Sequence, residues 1–142
     1  MRIADVMTRS LVSTEPGATL QEAAQRMRAG CVGLLPVYEG SELVGVLTDR
    51  DIVVRAVADG IGPRATVREA MTSQVISCYE DLPVAEASRL MATRAVRRLV
   101  VFDRRERVVG VISIDDLAAF GEPHVAETLE MISSPTPDGF SG

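Results

Sequence analysis

The chain has 142 residues, is 46% apolar with no Trp, and carries a formal charge of −5; such a chain suits an ordinary globular domain that buries roughly 70% of its unfolded surface. The negative balance argues against a general nucleic-acid binder, whose affinity rests on neutralising phosphates with a basic surface. No apolar run approaches the ~20 residues that span a bilayer, and two cysteines without C-x-x-C spacing plus one histidine fall short of a structural zinc site, so Cys31 and Cys78 read as buried free thiols.

In chain order, the segment Met1-Arg2-Ile3-Ala4-Asp5 shows no apolar signal core, and the expected location is the cytoplasm. A short extended piece at 11–14 leads into a helix opened by Thr19 and Glu22, a T-x-x-E capping box, with Leu20, Ala23, Ala24 and Met27 at helical spacing. Strands at 34–38 and 43–48 are joined through Glu39-Gly40-Ser41 as a tight antiparallel hairpin. The helix that follows, from Asp49, carries Ile52, Val53, Val54, Ala56 and Val57 around more than half its circumference. A one-sided surface helix needs only a stripe, so this one is expected to be sandwiched between two halves of the chain or to face a second chain. Asp59-Gly60-Ile61-Gly62-Pro63 reads as a linker.

The same elements then return. An extended piece at 75–78 precedes a helix with Asp81 as the expected N-cap, Pro83 in its first turn, and Val84, Ala87 and Met91 as its stripe. Strands at 99–102 and 108–113 follow, joined through Asp103-Arg104-Arg105-Glu106, with a closing helix from Asp115. The segment 123–132 is weakly amphipathic, and 133–142 is expected to be a flexible tail.

The recurrence is residue by residue. Met7-Thr8 returns as Met71-Thr72, Glu22-Ala23 as Glu86-Ala87, and Leu35-Pro36-Val37-Tyr38 as Leu99-Val100-Val101-Phe102. After one extra residue in the second hairpin, Val44-Gly45-Val46-Leu47-Thr48 returns as Val109-Gly110-Val111-Ile112-Ser113, and Asp51 as Asp116. Matches in one order over this length indicate a duplicated β-α-β unit.

The duplicated strand-to-helix turn carries the chemistry. In each copy a strand ends on a hydroxyl, Thr48 or Ser113, and a carboxylate, Asp51 or Asp116, follows three residues later. A helix start offers unpaired N–H groups to an anion, the hydroxyl adds a hydrogen bond, and a carboxylate accepts two hydrogen bonds from a ribose diol. The spacing therefore fits a nucleotide, and it equally fits an ordinary N-cap.

The order Met-Thr, extended piece, helix, L-P-V strand, V-G-V-L-T strand and D-R-D-I helix resembles the CBS domain, and two copies resemble the CBS pair (Bateman module). The likeness covers about residues 4–120, and the run from Leu47 to Val53 is similar to small stand-alone actinobacterial members. It implies an α/β fold of two tandem β-α-β-β-α repeats packed sheet to sheet as one pseudo-twofold module. Repeat one is expected at 1–62, repeat two at 63–121, and a C-terminal helix and tail at 122–142. The family uses the G-x-x-[ST]-x-x-D turn for AMP, ADP, ATP, NAD-type dinucleotides or S-adenosylmethionine. That implies ribose contacts for Asp51 and Asp116, phosphate contacts for Thr48 and Ser113, and a base bordered by Ser13 and Ser77. Arg50, Arg97 and Arg98 are the candidate phosphate partners, whereas Arg104, Arg105 and Arg107 read as surface residues of a turn.

The implied role is a regulatory module that binds such a ligand in the cleft between repeats and signals to an effector protein, with a homodimer expected. The alternative is a structural or protein-interaction module with no small-molecule ligand. Catalysis is not expected: no Ser/His/Asp or Cys/His constellation is present, His124 lies outside the repeats, and Asp115 and Asp116 point about 100° apart on a helix. No obligatory cofactor, metal, membrane or nucleic acid is expected.

Overall fold

The computed structural model describes residues 1–10 and 12–133, so the tail expectation for 134–142 lies outside the described residues. Contacts divide the chain into two units, Val12–Val75 and the combination of Met1–Leu11 with Ile76–Gly142.

In Val12–Val75, Thr19 opens helix α1 (Leu20–Gly30) by accepting the Glu22 N–H on its hydroxyl at 3.1 Å. Leu20, Ala23 and Met27 form the buried stripe, and the helix ends on Cys31 in the left-handed region at φ 53°. Strands β1 (Leu34–Glu39) and β2 (Glu42–Thr48) pair antiparallel with Leu34 opposite Thr48 and Val37 opposite Gly45; a bulge falls between Val37 and Tyr38. The extended piece before α1 joins this hairpin through one parallel bridge, Thr14 to Val37. Leu20, Leu35, Val37, Leu47 and Val67 make the core of this unit.

The closing helix differs from a regular one. One α-turn, α2 (Asp49–Asp51), passes into wide turns over Ile52–Val57, in which Ala58 N–H reaches Val53 O at 3.0 Å. Only Ala56 of this stretch is fully buried, while Val53 and Val57 remain 59% and 66% exposed. The apolar circumference is therefore not consumed within the described chain.

The other unit repeats the plan with a longer sheet. Strand β3 (Ser77–Tyr79) runs parallel to β4 (Arg98–Phe102), which pairs antiparallel with β5 (Val108–Ser113) in the order β3-β4-β5. Its bulge, between Val101 and Phe102, is the duplicate of the first. The extra residue of this hairpin is taken up in a turn where Asp103 Oδ1 accepts the N–H groups of Arg105 and Arg107 at 2.9 and 3.0 Å. Helix α3 (Val84–Arg94) starts after Pro83 with no side-chain cap among the described residues. Asp81 is not the cap expected of it, because the Arg104 guanidinium holds both its oxygens at 2.8 and 2.9 Å. Arg104 also stacks over the Tyr79 ring at 4.1 Å; it is the exposed surface residue expected, held there by Asp81 and Tyr79. Helix α4 (Ile114–Phe120) closes the repeat and α5 (Val125–Ser133) packs on α3, where Ser88 and Thr128 share a buried 2.7 Å hydroxyl contact.

The units regroup the ends of the sequence repeats. Thr8 pairs with Val111 in both directions, at 2.9 and 3.0 Å, and Thr72 pairs with Val46 at 2.8 and 2.9 Å. The Met-Thr segment that leads one repeat thus crosses the V-G-V strand of the other. Both crossings sit over glycine: a Cβ on Gly45 would lie 2.5 Å from Thr72 O, and one on Gly110 would lie 2.5 Å from Thr8 O.

Cys78 is buried and Cys31 is exposed; the expectation of two buried thiols fails at Cys31 because it terminates a helix in the left-handed conformation instead of packing on its stripe. Among the described residues no helix is long and apolar enough to cross a membrane, and no three His, Cys, Asp or Glu side chains gather as a metal site would require.

Candidate functional site

Both turns form reciprocal capping boxes. At the first, Thr48 Oγ1 accepts the Asp51 N–H at 3.1 Å, and Asp51 Oδ2 accepts the Thr48 N–H at 2.9 Å. At the second, the equivalent bonds between Ser113 and Asp116 are 3.1 and 3.0 Å. Each box satisfies backbone donors that a helix start leaves open, so capping by itself accounts for the hydroxyl and the carboxylate.

Capping and ligand contact are compatible. A hydroxyl that accepts one N–H keeps its own proton to donate, and a carboxylate accepts about four hydrogen bonds, of which the box uses one. Exposure separates the copies: Thr48 and Asp51 are 5% and 8% exposed, whereas Ser113 and Asp116 are half-buried.

The basic residues are brought to the second turn by strand register. Arg98 is the cross-strand partner of Ser113, and cross-strand partners on one face have Cβ atoms about 5 Å apart. Arg97 is exposed, and its carbonyl accepts the Ile114 N–H at 2.9 Å, tying the start of β4 to the start of α4. At the first turn the same places hold Leu34, opposite Thr48, and Gly33, whose carbonyl accepts the Asp49 N–H at 3.0 Å. There Arg50 is exposed within the turn itself.

The two serines lie further off. Ser77 pairs with Val100, two residues and about 7 Å along β4 from Arg98. Ser13 is half-buried beside the Thr14 bridge, and its carbonyl accepts the Arg26 guanidinium at 2.6 Å. A cavity of about 270 Å³ is lined by Ser77, Cys78, Tyr79, Leu82, Phe102 and neighbours; of the nine candidate residues only Ser77 contributes to it. Burial of Cys78 pushes its thiol up to about 11, which keeps it un-ionised at neutral pH.

Three residues that the strand-to-helix pattern does not reveal also stand at these turns. The Thr8 hydroxyl lies 3.3 and 3.4 Å from the two carboxylate oxygens of Asp116. Its duplicate Thr72 instead accepts a 3.0 Å bond from Arg55, which also reaches Met71 O at 3.3 Å. The available signal was the Met-Thr pair itself, repeated at 7–8 and 71–72.

Comparison with known proteins agrees with the duplicated plan. The CBS domain family model matches residues 3–57 and again 67–122. CBS domain-containing protein YhcV of Bacillus subtilis is 38% identical over 116 residues, 82% of each chain. Hypoxic response protein 1 of Mycobacterium tuberculosis is 31% identical over 134 residues, 92% of this chain and 93% of that protein. Among solved structures, the CBS domain pair of protein MJ0100, in complex with 5′-methylthioadenosine and S-adenosyl-L-methionine, has a TM-score of 0.75 at 26% identity. It covers 84% of this chain and 94% of that one.

Proposed function

The chain belongs to the CBS-domain family and is a CBS pair, and from that premise we propose that it is a regulatory module whose turns bind an adenine-containing nucleotide or related metabolite and whose occupancy is read by a partner protein. One observation carries the reading: a strand partner relation sets Arg98 beside Ser113, next to Asp116 and Arg97. A guanidinium and a hydroxyl suit a phosphate or carboxylate, and the carboxylate suits the ribose diol. The MJ0100 pair, bound to two adenosine compounds, supports the ligand class. AMP, ADP, ATP, NAD and S-adenosylmethionine are the candidates, sensed as cytoplasmic metabolites without chemistry performed on them.

The Asp116 turn is the better site of the two, since Arg97 and Arg98 have only Gly33 and Leu34 as counterparts. Calorimetric titration with the five candidates tests this. Binding weakened at least tenfold by Asp116→Ala and by Arg98→Ala supports the reading. No binding by any of the five, or variants indistinguishable from the parent, refutes it in favour of a protein-interaction module without ligand, the reading that the two capping boxes favour.

We also propose a homodimer. Val53 and Val57 stand exposed on the closing helix of the first repeat, and paired apolar side chains there gain from being covered. Light scattering should give twice the chain mass at micromolar concentration, and a monomer would exclude the dimer.

A further inference from the structure

We infer that Thr8 is a positioning residue of the Asp116 ribose site, and that Thr72 has no such role at Asp51, so that the two turns discriminate ribose from 2′-deoxyribose to different degrees. The inference rests on the nucleotide reading given above.

Thr8 cannot drift. Its N–H and carbonyl are both bonded to Val111, and its carbonyl lies against Gly110 at a distance that leaves no room for a Cβ. From this fixed backbone its hydroxyl donates one proton across both oxygens of Asp116. Together with the Ser113 N–H on Oδ2, this anchors the carboxylate from two elements far apart in sequence. A carboxylate held in one rotamer presents its remaining lone pairs in a set direction and orders them before a diol arrives. In the other unit the threonine backbone is fixed just as firmly, on Val46, but its hydroxyl faces the Arg55 guanidinium. Asp51 there has the Thr48 N–H alone of these two anchors. The duplication differs at the neighbouring position: the place of Arg55 is taken by Phe120 in the second copy, which offers the threonine no donor.

The test has a ligand-free and a ligand-bound arm. In the ligand-free protein, hydrogen exchange of the Ser113 amide should quicken about tenfold in Thr8→Val and keep its parent rate in Thr8→Ser, while Thr72→Val leaves the Thr48 amide unchanged. In titrations, AMP and 2′-deoxy-AMP serve as probes, and Asp51→Ala and Asp116→Ala assign the sites. Thr8→Val should weaken AMP at the Asp116-dependent site about three- to tenfold, and bring its affinity close to that of 2′-deoxy-AMP. Thr8→Ser should restore the preference, and Thr72→Val should leave the Asp51-dependent site as it was. An unchanged Ser113 amide, or an AMP preference that survives Thr8→Val, overturns the positioning role alone. No AMP binding by the parent protein overturns the role together with the nucleotide reading on which it rests.

Discussion

Replacing Gly45 by alanine perturbs the crossing on which the first unit closes. In general a Gly→Ala change in a strand stabilises a protein by about 0.4–1 kcal/mol, because it removes freedom from the unfolded chain. Here the added Cβ would stand 2.5 Å from Thr72 O and 3.3 Å from the same carbonyl carbon. The neighbour is backbone, held on both sides by the Val46 pairing at 2.8 and 2.9 Å, so it cannot swing aside as a side-chain end would. Relief requires the 71–72 segment to retreat, weakening two backbone hydrogen bonds at about 1 kcal/mol each and adding an overpacking cost of about 1–3 kcal/mol. After the gain from the unfolded chain is subtracted, the net loss is about 2–4 kcal/mol, a fall in Tm on the order of 10 °C. Urea unfolding followed by circular dichroism measures the loss, and hydrogen exchange at the Val46 and Thr72 amides locates it. Gly17, whose added Cβ meets nothing within 4 Å, is the control, and Gly17→Ala should be neutral or slightly stabilising. If Gly45→Ala stays within 0.5 kcal/mol of the parent and both amides remain protected, the close crossing is not what requires glycine there.

Two further outcomes follow from single side chains. Thr14 Oγ1 is buried with no hydrogen-bond partner among the described residues, so the near-isosteric Thr14→Val should raise the unfolding midpoint, worth roughly 1–2 kcal/mol; a loss of stability would show that the hydroxyl is satisfied after all. Cys31 is exposed, and Cys78 is buried with its thiol raised to about 11, so iodoacetamide at pH 7.5 should label Cys31 first by more than tenfold, with Cys78 reacting only on unfolding; equal rates would contradict the burial.

Strand pairing was readable from the sequence because two short apolar runs joined through Glu39-Gly40-Ser41 read as a tight hairpin, and the pairing buries Leu35, Val37 and Leu47 together. The bulges at Val37/Tyr38 and Val101/Phe102 were not, since an extra residue in one strand leaves no mark in composition. The regrouped repeat ends rest on backbone hydrogen bonds across long sequence separations, which side-chain patterns do not encode. Glycine inside a buried strand was nonetheless a signal, because it marks close approach of another backbone. The Asp81 cap failed for a different reason: an arginine distant in sequence offers two charge-assisted hydrogen bonds where a cap offers one neutral donor. At the site, the hydroxyl and carboxylate pairs stood in the sequence, and Arg98 came to Ser113 by register alone. Thr8 did not, because its contact depends on the crossing over Gly110.

Duplication copied the cap, the glycine crossing and the threonine that lies on it, and divergence at neighbouring positions then gave each threonine a different partner. Arg55 donates to Thr72, while its place in the second copy is held by Phe120, and Thr8 there donates to Asp116. The capping bonds hold the fold whether or not a ligand is present, so they do not constrain which groups surround the turn. Arg97 and Arg98 near one turn, and Gly33 and Leu34 near the other, are changes that the shared scaffold tolerates because strand entry and hairpin register are carried by backbone hydrogen bonds. The proposed difference between the two sites is thus written in side chains that the fold itself does not require, where a duplicated module is free to acquire two different ligand preferences.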